Sequence, residues 1–161
     1  MLAHYKVWAD EVTFDAAASL APAELVKERQ TLFKTMIGTL NHIYVVDLIW
    51  QAHLEGRKHG FSARNVVLHP SLDLLRLAQR ELNGWVVAWS EAQTDSTLGE
   101  TIPFVFINGT KSALTRGEIL LHLVTHGGHH RGWLADLFYQ VPAKLPQTDL
   151  SVYLCEHSHG E

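Results

Sequence analysis

A single cysteine, Cys155, leaves no partner for an internal disulfide. Excess charge of one sign is missing too. Thirteen Lys and Arg against seventeen Asp and Glu leave a formal net charge of -4, which argues against a phosphate-binding surface and against nucleic acid as a partner. Long apolar runs are absent. The richest, Ile43 to Trp50, is interrupted by Asp47 and is far short of the roughly 20 residues that cross a bilayer, so no membrane association is expected. The start, Met1-Leu2-Ala3-His4-Tyr5-Lys6, lacks the basic-then-apolar layout of a signal peptide. These absences lead us to expect a cytoplasmic protein. Several catalytic signatures are missing as well: the Gly-x-Ser-x-Gly elbow, a phosphate-cradling Gly-rich loop, and the Glu-x-x-His pairs of di-iron bundles. Internal repeats and low-complexity segments are absent.

What the chain has in abundance is histidine, eleven against the thirteen Lys plus Arg, in a sequence that is 47% hydrophobic. The 161 residues suffice for one domain with a real core, spanning 1–161. Residues 2–20 read as a first helix, interrupted by Pro22. A second, apolar nearly all round in its middle and so expected to be buried on more than one side, runs from about Ala23 or Gln30 to Leu54. A polar loop over 56–70 ends at His69-Pro70. Ser71 caps a third helix with Leu72, Leu75, Leu82, Trp85, Val86 and Trp89 on its apolar face. The β-branched and aromatic stretch Thr101 to Ile107, ahead of Asn108-Gly109, predicts a hairpin, with Pro103 shortening its first strand. Thr115 and Glu118 form a capping-box pattern for a fourth long helix ending before Pro142. A short closing helix starts at Asp149, and the last five residues are expected to fray. Four long helices and one small hairpin predict an all-α four-helix bundle.

The fourth long helix carries His122, His126, His129 and His130. At about 100° per residue, with His122 at zero, His126 falls at about 40° and His130 at about 80°. Both lie inside the stripe of Ile119, Leu123, Trp133, Leu134 and Leu137, whereas His122 and His129 lie at its margin, facing solvent or an interface. A buried imidazole must replace its lost water hydrogen bonds. A backbone or carboxylate partner does so, and so does a metal ion shared by residues four apart. His42, mid-way along the second helix with Thr39, Val46, Ile49 and Trp50, is the best third ligand. His53 lies on the same face near the helix end, and His4, His59, His69, His157 and His159 sit near termini or in loops. Gly127 and Gly128 cost about 1 kcal/mol each inside a helix. Close approach of a backbone or ligand, or a kink, explains them. Arg131 falls at about 180°, away from the ligands, and is expected to pair with a carboxylate such as Asp149.

These residues also resemble a family. Leu121-His122-Leu123-Val124-Thr125-His126-Gly127-Gly128-His129-His130-Arg131-Gly132 is similar to the fourth helix of the DinB/YfiT-like superfamily. His42 with Trp50 eight residues on resembles its second helix, and Tyr5-Lys6-Val7-Trp8-Ala9-Asp10 its first. Pro146-Gln147-Thr148-Asp149-Leu150-Ser151-Val152-Tyr153-Leu154 resembles its ending. The resemblance implies a four-helix bundle of up-down-down-up course, often a homodimer. It also implies a divalent metal on His42, His126 and His130. Trp133 departs from the family's usual glutamine, and an indole has no acceptor oxygen. Three imidazoles leave coordination positions open, as catalytic rather than structural zinc does, and they suit zinc, nickel or iron(II) without ranking them, because affinity order and cellular supply both intervene. Similar proteins include thiol-dependent S-transferases and isomerases. The expectation is therefore a metal-dependent transferase or hydrolase acting with a low-molecular-weight thiol or other small molecule. Asp47 is either an outer proton-transfer group or a structural partner for a basic residue. The alternative is a non-catalytic metal-binding or stress-response dimer. Cys155, with no base placed beside it, is a weak nucleophile candidate.

Overall fold

The computed structural model describes residues 1–157. Seven helices and one hairpin follow in the order α1 (Leu2–Ala18), α2 (Pro22–Val26), α3 (Met36–Leu54), α4 (Leu72–Glu91), α5 (Asp95–Leu98), β1 (Thr101–Val105), β2 (Lys111–Thr115), α6 (Arg116–Phe138) and α7 (Leu150–His157). The caps read from the sequence are in place. Ser71 accepts from Leu74 N–H, and the Thr115 hydroxyl accepts from Glu118 N–H at 3.1 Å while the Glu118 carboxylate accepts from Thr115 N–H at 2.7 Å. β1 pairs antiparallel with β2, Pro103 opposite Ala113, and Gly109 takes φ 85° in the turn. The expectation of a frayed end falls mostly on residues 158–161, outside the described ones; His157 is still helical.

The second long helix differs from expectation at its start. The chain leaves α2 at Val26 and becomes helical again only at Met36. Thr35 is the true cap, its hydroxyl accepting from Gly38 N–H at 2.9 Å. The preceding Lys34 takes φ 62°, a left-handed conformation that ends any helix approaching from Gln30. Gly38 is required here, because a Cβ would lie 2.4 Å from the Phe33 carbonyl oxygen. The loop therefore lies tight on the first turn of α3, which sets half-buried Phe33 against His42.

α1 packs on α4 and α6, and α3 packs on the same two helices. Two large apolar clusters fill the interior, beside a smaller third of Tyr5, Ala9, Val124 and Tyr153. Of the large two, one holds Phe14, Met36, Leu40, Leu75, Leu134 and Phe138; the other Ala3, Val46, Trp50, Val86, Phe104 and Leu123. α1 and α6 run from the second cluster to the first, and α3 and α4 run the other way. Phe104 of the hairpin packs edge-on against Trp50, ring centroids 4.8 Å apart, which fastens the hairpin over α3 and α6.

A buried polar layer separates the two clusters. Lys6, fully buried, places its ammonium 2.8 Å from Asp10 and 2.7 Å from Asp47, and donates to Asn83 at 2.9 Å. Gln79 donates to Asp47 at 3.0 Å, and Arg131 donates to Asp10 at 2.9 Å. Two cations and two carboxylates from α1, α3 and α6 thus compensate each other. Asp47 is accordingly a structural partner of Lys6, not a group at the histidine cluster. Arg131 also corrects the expectation: it is buried and its carboxylate is Asp10, not Asp149. The helical angle rightly turns it from the histidines, but that side faces α1, not solvent. The C-terminal segment is tied down by Tyr5, whose hydroxyl donates to the Thr148 carbonyl at 2.7 Å, and by Tyr153 packed on Tyr5 and Trp8. Gly127 makes room for the arginine: a Cβ there would meet Nη1 of Arg131 at 2.9 Å. Its close neighbour is a side chain of its own helix, not a ligand or another backbone. No helix among the described residues is long and apolar enough to cross a membrane.

Candidate metal centre

His126 and His130 stand one turn apart on α6, and α3 packs His42 against them. The Nε2 atom of His42 lies 3.2 Å from that of His130 and 3.3 Å from that of His126. One nitrogen from each ring falls within 4.8 Å of the others, the one group among the described residues that could hold a metal ion. Helical spacing alone brings the α6 pair together; the third nitrogen arrives because the apolar surface of α3 is buried against α6.

The protonation states favour a cation at the convergence point. The Nδ1 atom of His42 lies 2.9 Å from the Arg64 carbonyl oxygen. A carbonyl only accepts, so Nδ1 carries the proton and Nε2 presents its lone pair inward. Burial, with the neighbouring His130 and His42 rings adding, pushes His126 down to about 2. Burial and the His42 ring push His130 down to about 4. Burial lowers His42 as well. All three rings are therefore neutral at pH 7, the state in which imidazole ligates metal. Zinc–nitrogen bonds of about 2.0–2.1 Å at tetrahedral angles put ligand nitrogens roughly 3.3 Å apart. The two observed separations match that spacing, so the residues fit a divalent ion. The Nδ1 atoms of His126 and His130 are buried without a protein partner among the described residues, so only His42 has its orientation fixed by a second hydrogen bond.

Aromatic rings close one side. Phe33 stacks on His42 with centroids 4.2 Å apart and meets His130 edge-on at 5.3 Å. Trp133 meets His130 edge-on at 4.9 Å, an apolar wall with no acceptor oxygen to offer. His129 is exposed beside Trp133, as expected of a marginal position. His122 is half-buried, 5.0 Å from the Trp50 ring and 5.4 Å from His126, and faces a cavity.

Two cavities open beside the histidines. The larger, about 500 Å³, is walled by Val46, Ile49, Trp50, Val105 and Phe106, with His53, His122 and His126 also lining it. The smaller, about 360 Å³, is lined by the three clustered histidines with Leu32, Phe33 and Asn65. Arg64 lines both. Phe33 and Arg64 are the site residues that sequence reasoning missed, since both sit in loops without periodicity. Asn41 offered a signal. It sits on the apolar α3 beside His42, and its side-chain oxygen accepts from Leu68 and His69 N–H, both at 2.9 Å, while its amide donates to the His69 carbonyl at 2.9 Å. Adjacent residues Asn41 and His42 thus hold the 56–70 loop against the site.

Comparison with known proteins finds relatives that span nearly the whole chain. The model of the DinB family matches residues 1–158. Protein DinB of Bacillus subtilis (strain 168) is 27% identical over 165 residues, covering 95% of this chain and 91% of that protein. The crystal structure of a DinB-like protein from Bacillus cereus ATCC 10987 superposes with a TM-score of 0.64 at 21% identity, covering 88% of this chain and 91% of that one, which shows a shared fold. With that family matched almost from end to end, and the paired histidines of α6 meeting the histidine of α3, the chain belongs to the DinB family.

Proposed function

We propose that this protein is a metal-dependent enzyme of thiol S-transferase or hydrolase type, with His42, His126 and His130 as ligands of a divalent ion such as zinc, nickel or iron(II). The observation that carries the reading is the convergence of three neutral imidazole nitrogens, at 3.2 and 3.3 Å from the central His42, beside an apolar cavity of about 500 Å³. A bound divalent ion would supply Lewis acidity, lowering the pKa of a bound water or thiol and polarising a carbonyl. The chain's own residues prepare the site for that chemistry. The Arg64 carbonyl fixes the His42 tautomer, while Phe33 and Trp133 keep water from one side of the rings. His126 is the ligand that also faces the larger cavity, so a substrate seated there reaches the metal side directly.

The reading is tested by screening low-molecular-weight thiols against electrophilic and ester substrates, with metal-loaded and metal-free protein. Metal-dependent turnover that His42→Ala abolishes is expected; no turnover across the panel counts against an enzyme.

One observation favours a second reading, a non-catalytic metal-binding or stress-response dimer. Among the described residues lining the two cavities there is no carboxylate and no cysteine, so proton transfer would fall to histidine or to the substrate itself. Metal binding at one ion per chain with no turnover, and a dimer by light scattering, is the outcome that reading expects.

A further inference from the structure

Each arginine except Arg64 stands within ion-pair distance of a carboxylate: Arg29 with Glu24, Arg57 with Glu55, Arg76 and Arg80 with Glu11, Arg116 with Glu100 and Arg131 with Asp10. Arg64 has no such partner among the described residues. It is also the only Lys or Arg lining either cavity at the histidines, and it lines both. Its backbone is not free to wander, because its carbonyl accepts from His42 and Asn41 pins the same loop at Leu68 and His69. A solvent-exposed cation without a carboxylate partner among the described residues thus stands, on a pinned backbone, at the rim where an apolar cavity meets three metal-ligating side chains.

We infer that the cavity takes a monoanionic amphiphile, a small carboxylate with an apolar or aromatic body, its carboxylate on Arg64 and its body between Val46, Ile49, Trp50 and Phe106. This deepens the reading of the histidines as a metal centre and rests on it for the purpose of binding there. Three features select that chemistry. A guanidinium matches a carboxylate with two parallel hydrogen bonds. In the metal-free protein one arginine balances one negative charge, whereas a phosphate ester, with close to two, would leave charge uncompensated against an apolar wall. The volume of about 500 Å³ suits a small molecule. Asn108 and Thr110 of the hairpin loop add polar side chains to the rim.

The test uses 4-phenylbutyrate and its uncharged amide, titrated calorimetrically into metal-free and zinc-loaded protein. The acid is expected to bind about tenfold more tightly than the amide in both forms, as a charge-assisted contact provides. Arg64→Gln, which keeps the backbone carbonyl and hence zinc uptake, is expected to erase that preference and leave amide binding unchanged. Phe106→Ala is expected to weaken acid and amide alike. Equal binding of acid and amide overturns the inference, as does binding of neither. A preference that survives Arg64→Gln, or that exists only with zinc, also overturns it, because the carboxylate would then be a metal ligand. Failure of the metal reading shows separately, as absent zinc uptake.

Discussion

His42 and His130, 88 residues apart in the chain, bring their Nε2 atoms to 3.2 Å. Both rings are buried and held below the ordinary histidine range by that burial, so the contact is one of neutral rings presenting ligand nitrogens. Each is expected to contribute a full bond to the ion. His42→Ala and His130→Ala should each lower metal affinity by more than the 10–100-fold typical of losing an outer-sphere partner. Competition titration with a chromophoric chelator measures it.

The Arg131–Asp10 pair predicts an inverted glycine pattern along α6. Gly132 is exposed and has nothing within 4 Å of a Cβ, so Gly132→Ala should stabilise by about 1 kcal/mol. Gly127→Ala should lose that gain and become destabilising, because its Cβ meets the guanidinium that Asp10 holds in place. Arg131→Met should cost about 3–5 kcal/mol by leaving buried Asp10 and Asp47 to share Lys6 as their one buried cation, and Gly127→Ala should turn stabilising in that background. Chemical denaturation of the four variants decides it.

Acid should weaken the metal-free protein well above the carboxylate range. His126 and His130 are pushed down to about 2 and about 4 in the fold, while in the unfolded chain they titrate near 6.5. The unfolded state then binds more protons below that value, so stability falls as pH drops from 7, with the His130 share spent near 4. Burial works against the Asp10 carboxylate, but Lys6 and Arg131 outweigh it and hold it below its ordinary value, which extends the loss below 3.8. Asp47 acts in the opposite sense: burial and the Asp10 charge raise it, so its protonation opposes the loss. At the alkaline end, burial alone would lower Lys6, but Asp10 and Asp47 outweigh it. Its contribution is present below 10.5 and is lost as pH rises through its elevated folded value. Melting temperatures of chelator-treated protein should decline from pH 7 to 4.5; a flat profile there contradicts the assignment.

Gly38→Ala should disturb the histidine site without touching a histidine. The added methyl collides with the Phe33 carbonyl, forcing the loop outward at a cost of about 1–3 kcal/mol and lifting Phe33 from His42. Lower thermal stability together with weaker metal binding is expected. Unchanged metal affinity would show that Phe33 is dispensable.

Periodicity and capping made the long helices legible, because Ser71, Thr115 and Glu118 act on their own helix ends. They also placed His126 and His130, since helical spacing makes residues four apart neighbours whatever the rest of the chain does. His42 was legible as a polar residue that an apolar helix must have partnered. The start of α3 was not: Lys34 adopts a left-handed conformation and Gly38 yields to Phe33, choices made by tertiary contact. Arg131 reads as a partner of nearby Asp149 because only its end of the chain can be consulted, whereas its acid partner lies 121 residues away on α1. Arg64 and Phe33 reach the site through loops whose path no local pattern specifies.

Cobalt(II) substitution tests the central claim most directly. One cobalt per chain, with the visible bands of a nitrogen-ligated four- or five-coordinate ion, is predicted for the unaltered protein. The bands should vanish in His42→Ala, His126→Ala and His130→Ala and persist in His122→Ala and His129→Ala. Bands that survive loss of any of the first three, or disappear with His122 or His129, would contradict the three-histidine centre.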